Sequence, residues 1–423
     1  MRIFSFQVNG SSKVVLVLFL LFLSNCAVGQ RSTWIATWTA SPEEADADPS
    51  EPLLSLNDQT VRERVRVSLG GHQIRLRLSN ENGDAPVLIG SVSVGIAQGQ
   101  SSVIASSLRR VTFGGSAKVL IPPGAPALSD PVNLPVTDAS ELAISLYFPK
   151  HVTSVTWHSL ALKRAVISTQ GDHTQDLTMN GEKGSDSSVF LSQLLVLAKS
   201  TNRVIVAFGD SLVDGDKSTP EMDRNWPGDL FQRVKNNRNG YRFAVVNEGV
   251  AGNRLLTNGP GASLGISGLA RFERDALSVP GVTDIVLLEG TNDIGFPGAK
   301  LGDFELAAAT AAPSVDEILS GYQQLIARAH ARGIRIFGCT IMPTEGAAVA
   351  GYYSELKDRD RQAINRWIRS SKAFDGVIDF DAVMRDPDHP SRLLPGFASE
   401  DHLHPNDDGY RRMASAIDLS LFK

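Results

Sequence analysis

Val204-Ile205-Val206-Ala207-Phe208-Gly209-Asp210-Ser211-Leu212 is the stretch on which the fold turns. Five apolar residues in unbroken succession suit a strand covered on both faces, as in a parallel sheet flanked by helices. Runs of the same kind recur at Ile285-Val286-Leu287-Leu288, from Ile334 to Ile341, and at Val377-Ile378-Asp379-Phe380. Helical segments separate them. Ser314-Val315-Asp316-Glu317 is a capping-box signal that opens a helix through about Ala331, with Gly333 placed to end it. A second helix is expected from about Glu355 to Ser371 and a last one from about Asp407 to Leu421. Strand–helix alternation predicts a doubly wound α/β layer with right-handed crossovers over residues 201–423. Ser211 then stands at the C-terminal end of its strand, where open α/β sheets place their sites. Gly209 lets the backbone turn tightly there.

Residues 30–200 have a different period. Val65-Arg66-Val67-Ser68-Leu69, Ile74-Arg75-Leu76-Arg77-Leu78-Ser79, Val92-Ser93-Val94 and Leu142-Ala143-Ile144-Ser145-Leu146 alternate apolar with polar. Gly70-Gly71, Asn82-Gly83, Gly114-Gly115 and Pro122-Pro123-Gly124 punctuate them as turns. Many short alternating strands predict an all-β sandwich or jelly roll. The polar stretch from Asn180 to Ser188 reads as a loop before the junction.

At 423 residues with 42% hydrophobic and 21% charged, the chain has an ordinary globular composition and the length of two domains. A net charge of −5 lacks the basic footprint of a nucleic-acid binder. Two cysteines exclude a disulfide-stapled scaffold. Cys339, inside an apolar run, reads as a buried small residue in a strand. At the N-terminus, Arg2 and Lys13 precede the apolar run Val14–Leu23, too short to span a membrane and suited to a secretory signal peptide over residues 1–29. Two processing routes compete. Ala27-Val28-Gly29 permits cleavage before Gln30, whereas Leu23-Ser24-Asn25-Cys26 is similar to a lipoprotein box that would anchor a lipid on Cys26. The expectation is therefore an exported protein, secreted or periplasmic, with a membrane-anchored lipoprotein as the alternative.

Three further blocks accompany Gly209-Asp210-Ser211. Asp401-His402-Leu403-His404-Pro405 lies just ahead of the last helix. A carboxylate three residues before a histidine can reach back to Nδ1 and leave Nε2 to take a proton from a serine. Asn247-Glu248-Gly249-Val250-Ala251-Gly252-Asn253 and Glu289-Gly290-Thr291-Asn292-Asp293 follow apolar runs of their own. They supply a glycine N–H and an asparagine amide, the donors an oxyanion hole needs.

Taken in this order, the blocks resemble the SGNH (GDSL-type) hydrolase superfamily, whose name matches Ser211, Gly252, Asn292 and His404. The resemblance covers about residues 203–423. It implies a flavodoxin-like three-layer parallel sheet and ester hydrolysis without metal or cofactor. Ser211, Asp401 and His404 would be catalytic, with Ser211, Gly252 and Asn292 as the oxyanion hole. The preceding β half, and the stretch from Asp214-Gly215-Asp216 to Trp226-Pro227, look like a secreted bacterial two-domain subgroup.

Other readings of these residues compete. Gly261-Ala262-Ser263-Leu264-Gly265 matches a nucleophile elbow literally, but that motif needs a strand before it and a helix after it. His402 could replace His404 as the base. Asp379, Asp381, His402 and His404 could be imagined around a metal. Arg62, Arg64 and Arg66, with Arg75 and Arg77, form a row that is either the solvated face of a sheet or a contact for an acidic polysaccharide. Trp34, Trp38 and Trp157 are core aromatics or sugar platforms. The resulting expectation is an exported serine esterase acting on short-chain or O-acetyl carbohydrate esters. A lysophospholipase or other lipid-ester hydrolase, an acyltransferase on the same triad, and a carbohydrate-binding protein with a vestigial hydrolase domain are the alternatives.

Overall fold

The computed structural model describes residues 32–45, 55–152, 154–181, 183–235 and 242–423. The expected leader segment 1–29 and Cys26, the residue of the alternative lipid anchor, lie outside them. Five parallel strands form the central sheet: β1 Arg203–Gly209, β2 Phe243–Gly249, β3 Val282–Leu288, β4 Arg335–Cys339 and β5 Gly376–Ile378, in spatial order β2-β1-β3-β4-β5. Both faces are covered, which is why the strands are apolar without alternation. Val204, Val206 and Phe208 belong to the same apolar core as Ile318, Tyr322 and Leu325 of the helix Val315–His330. Ile205 and Ala207 face the helices Trp226–Lys235 and Asp407–Ala416 on the other side. The register matters for function. Gly209 pairs with Gly249 of β2 and Leu288 of β3, so three strands end at one level and their outgoing loops converge.

Gly209 is needed for a reason other than the turn expected from sequence. A Cβ there would come within 1.8 Å of the Leu288 carbonyl oxygen, so close strand approach demands the glycine. The capping box is present, with the Ser314 side chain and Glu317 bonding each other's backbone N–H. The last helix is shorter than expected. Ile417 turns extended (ψ 117°) after Ala416, and the Asp418 side chain accepts from Ser420 N–H to start a separate 3-10 turn, Leu419–Phe422.

The N-terminal half is β-rich, as its alternation requires. One antiparallel sheet runs Ser32–Thr39, Leu191–Lys199, Gly71–Asn80, Ala125–Leu128, with Val132–Val136 also on Gly71–Asn80. A second centres on Gln59–Arg66 between Ala165–Gln170 and Glu141–Phe148, with Ser91–Gln98 beyond. Ile74, Leu76 and Leu78 are fully buried, and one apolar core continues from them to Val206 and Ile285 of the central sheet. Residues Ser32–Lys423 accordingly form a single compact unit. Among the described residues no helix is long and apolar enough to cross a membrane.

The arginine row is not a solvated face. Arg62 is fully buried because the segments around Ser101 and Asp176 cover the second side of its sheet; it donates to the Ser145 hydroxyl (2.8 Å) and to the Ser101 and Asp176 carbonyls (2.7 Å each). Arg64, also buried, pairs with Glu221 (2.5 Å), and Arg66 with Asp223 (2.9 Å). Arg64 and Arg66 thereby hold the 216–225 segment of the α/β half, whereas Arg62 stays within the β half, and ion pairing leaves the row no free guanidinium face for a polysaccharide. Arg75 lies over the Trp34 ring at 4.9 Å, and Trp34, Trp38 and Trp157 are all partly buried against the core.

Glu63 sits in that second sheet, accepting from the Ser188 hydroxyl (2.5 Å) and Val189 N–H (2.8 Å). Burial pushes its carboxyl up to about 7 against the lowering effect of both bonds. An unfolded glutamate titrates near ~4.3. The folded state therefore binds its proton more tightly, and this stabilising contribution is complete below ~pH 4 and lost as pH rises through about 7. The Glu63→Gln variant should gain melting temperature relative to wild type steadily between about pH 5 and pH 8. A difference that stays flat over that interval in a calorimetric pH series would show that Glu63 does not titrate there.

Candidate active site

Each strand end delivers one block. After β1, Asp210 caps the four-residue helix Ser211–Asp214 by accepting from Leu212 N–H (2.9 Å), which places Ser211 at its first position. After β2, the chain turns at Gly252 (φ +72°), where a Cβ would also meet the Leu264 side chain at 2.6 Å. After β3, Asn292 lies in the helix Thr291–Gly295. The fourth block, 401–404, precedes the helix Asp407–Ala416, which packs beside Trp226–Lys235.

The tertiary structure brings Ser211, His404 and Asp401 into one row. His404 Nδ1–H donates to Asp401 Oδ2 (2.7 Å), leaving Nε2 to accept the Ser211 hydroxyl (2.8 Å). Asp401 Oδ1 is held by N–H groups of Leu403 and His404 (2.9 Å each) and by the Ser399 hydroxyl (2.7 Å). Partial burial works to raise the Asp401 pKa, but the His404 ring and these N–H groups outweigh it and hold the carboxyl well below the usual range. Ser211 and His404 are each only 8% exposed. In Asp210, burial dominates and pushes the carboxyl up to about 7 despite the Leu212 N–H and the neighbouring His404 and Arg271.

Asn292 is oriented from both ends. Its Nδ2 donates to the Asn253 carbonyl (2.9 Å), and its Oδ1 accepts from the buried Tyr352 hydroxyl (2.7 Å). One amide hydrogen is thus left over. Among the described residues the Ser211 and Gly252 N–H groups have no backbone partner either. Around this side of the site an apolar cluster gathers Phe296, Leu306, Tyr352 and Leu403, with Leu264 and Val349 partly buried against it.

Two supports were not legible as site residues. Arg271, 1% exposed, donates to the carbonyls of Gly209 (2.7 Å) and Glu248 (2.8 Å) and to Asn253 Oδ1 (2.7 Å), and lies 4.0 Å over the Phe208 ring. It ties the ends of β1 and β2 together. An arginine inside the apolar stretch Gly268–Phe272 was the only signal. Tyr352 had none. A third contact comes from the β half: His158 Nε2–H donates to Asp214 Oδ1 (3.1 Å), three residues after Ser211, and Nδ1 lies 3.3 Å from Glu43. Burial alone would lower the His158 pKa, but Asp214 and Glu43 outweigh it and hold it well above the ordinary value.

The competing candidates separate from the row. Ser263 falls in a lone 3-10 turn, Ala262–Leu264, that no strand precedes. His402 is exposed, at a left-handed φ of +55°, whereas His404 is the histidine bonded to Ser211. Asp379 and Asp381 are engaged by Arg369, Arg361 and Arg385 rather than gathered with the histidines. Cys339 is buried in β4, and burial pushes its thiol well above the ordinary range.

A parallel α/β sheet carrying these blocks on its strand ends, behind a β-rich N-terminal region, defines the class: an ester hydrolase. Residues 207–412 match the family model of the GDSL-like lipases and acylhydrolases, and this domain belongs to that family. No curated protein matches the chain. Among solved structures, a GDSL-like lipase from Bacteroides thetaiotaomicron is 20% identical over 52% of this chain and 88% of its own, with a TM-score of 0.36. A variant of an acetyl xylan esterase from Geobacillus stearothermophilus is 18% identical over 51% and 92%, with a TM-score of 0.38. The lipase/acylhydrolase from Enterococcus faecalis is 17% identical over 51% and 92%, with a TM-score of 0.36.

Proposed function

We propose that the chain is an exported serine esterase that removes short acyl groups, O-acetyl groups on carbohydrate above all, through Ser211, His404 and Asp401. The observation that carries this reading is the continuous hydrogen-bonded row from the Ser211 hydroxyl through His404 to Asp401. Ser211 Oγ attacks the acyl carbonyl as His404 Nε2 takes its proton. The tetrahedral oxyanion is held by the N–H groups of Ser211 and Gly252 and by the spare Asn292 amide hydrogen. Collapse expels the alcohol, which receives the proton from Nε2, and leaves an acyl-serine. Water then repeats the sequence and releases the acid. Asp401, kept ionised, holds the ring in the tautomer this requires. The strand order β2-β1-β3-β4-β5 supports a flavodoxin-like layer for residues 201–423, and the antiparallel sheets support a sandwich for 30–200. Export rests on the leader-like residues 1–29, and a lipid on Cys26 would convert a secreted enzyme into an anchored one.

Asn292→Ala should lower kcat on the order of 10²–10³-fold, the usual cost of losing one oxyanion donor, with KM little changed. A variant that loses KM and keeps kcat would assign Asn292 to ground-state binding instead. Substrate class is tested with a chain-length series of p-nitrophenyl esters and with acetylated xylan. Turnover peaking at acetyl, with acetate released from the polymer, is the expected result. A peak at long chains would move the assignment to lipid esters.

A further inference from the structure

The row Ser211–His404–Asp401 leaves one neighbouring carboxylate without a role. Asp216 follows the Gly215 that ends the Ser211 helix. Its N–H donates to the Ser211 carbonyl (3.1 Å), and its own carbonyl accepts from the buried Tyr410 hydroxyl (2.7 Å). Fixed from both sides, it sets Oδ2 at 3.6 Å from His404 Nε2, with the side chain 33% exposed. That separation is too long for a hydrogen bond to the ring, and Asp401 already orients the imidazole from Nδ1. Asp216 therefore stands within ion-pair range of Nε2 without bonding the ring, beside the space in front of that nitrogen. Lys217 and Glu400 pair at 3.5 Å in the adjoining loops. The surroundings there are charged, in contrast with the Phe296, Tyr352 and Leu403 cluster around Asn292.

Chemistry identifies what must occupy that space. When the tetrahedral species collapses, Nε2 hands its proton to the alcohol oxygen, which has to lie within about 3 Å of it. Groups one or two bonds further along the alcohol then fall against the Asp216 carboxylate. A carboxylate only accepts hydrogen bonds. An alcohol with a free hydroxyl next to the ester oxygen gives it a charge-assisted bond, whereas a phosphorylated alcohol meets like charge.

We propose that Asp216 reads the leaving alcohol: it selects esters of uncharged polyhydroxy alcohols bearing a neighbouring free hydroxyl, such as partly acetylated sugars, and rejects alcohols bearing phosphate. This rests on the roles given above to Ser211 and His404. The experiment compares wild type, Asp216→Asn and Asp216→Glu on methyl 2-O-acetyl-xyloside, phenyl acetate and 2-acetoxyethyl phosphate, which carries the phosphate without a neighbouring free hydroxyl. In Asp216→Asn the kcat/KM ratio of xyloside to phenyl ester should fall about 10-fold or more, and the ratio of phosphorylated ester to phenyl ester should rise. Asp216→Glu, which keeps the charge, should keep discriminating against the phosphorylated ester. Equal losses on all three esters, or unchanged ratios, would overturn the proposal and leave Asp216 a structural residue. Wild-type cleavage that survives Ser211→Ala would instead overturn the catalytic row, and the Asp216 reading with it.

Discussion

Ser211→Ala should cut kcat by about 10³-fold or more while leaving the melting temperature within about 2 °C of wild type. Both halves of that expectation follow from geometry. Among the described residues the Ser211 hydroxyl has one partner, His404 Nε2 at 2.8 Å, so its removal breaks a single hydrogen bond. The helix it begins is capped by Asp210, not by Ser211, and the convergence of β1, β2 and β3 rests on backbone pairing. What disappears is the proposed nucleophile. Residual turnover would come from the Ser211 and Gly252 N–H groups and Asn292 acting on a water-attacked carbonyl. Kinetics on p-nitrophenyl acetate beside a thermal melt make the measurement. Near-full activity in the alanine variant would remove Ser211 from the mechanism, and a large fall in melting temperature would mean that the lost rate reports unfolding.

The second large effect concerns stability. Arg271→Met should destabilise the fold by about 3–5 kcal/mol, the range for breaking a buried charge network by deleting one member. Arg271 is 1% exposed, and its deletion strips donors from the Gly209 and Glu248 carbonyls and from Asn253 Oδ1. Water cannot replace them cheaply at that depth. Asp275 keeps Arg274, which donates to it at 2.5 Å, so the loss falls mainly on the strand ends. Glu248 already feels the burden: burial, then the charge of Asp275, push it up to about 8. Because Gly209 and Asn253 adjoin Ser211 and Gly252, kcat should fall as well. Arg271→Lys should recover part of the stability but not the forked contacts. An Arg271→Met protein that melts with wild type in a denaturant titration would refute the keystone role.

Some of this architecture needs no coordinates. An unbroken apolar strand ending in Gly209-Asp210-Ser211 implies a parallel sheet, because only a strand buried on both faces drops its alternation. Four ordered blocks named Ser211, Gly252, Asn292 and His404, with Asp401 at the spacing that lets a carboxylate reach back to Nδ1. The helix begun at Ser314 was legible because its capping box is local chemistry. So was the β period of Ile74, Leu76 and Leu78.

Where the governing contact is distant in sequence, the reading stopped or went astray. Arg62, Arg64 and Arg66 alternate like a solvated face, yet two of them are buried, since the segments that cover them lie 39 to 157 residues away. Gly209 was assigned to a turn, but its need comes from a carbonyl on β3. Tyr352 orients Asn292 across 60 residues, and Asp216 approaches His404 only because the loop after β1 packs against the C-terminal segment that carries His404 and Tyr410. Sequence alone determined which residue types could do the chemistry and on which strands they ride, because periodicity and capping are short-range. Only the tertiary structure decided what faces them, because burial and the partners of a charge are properties of the packed chain rather than of any segment.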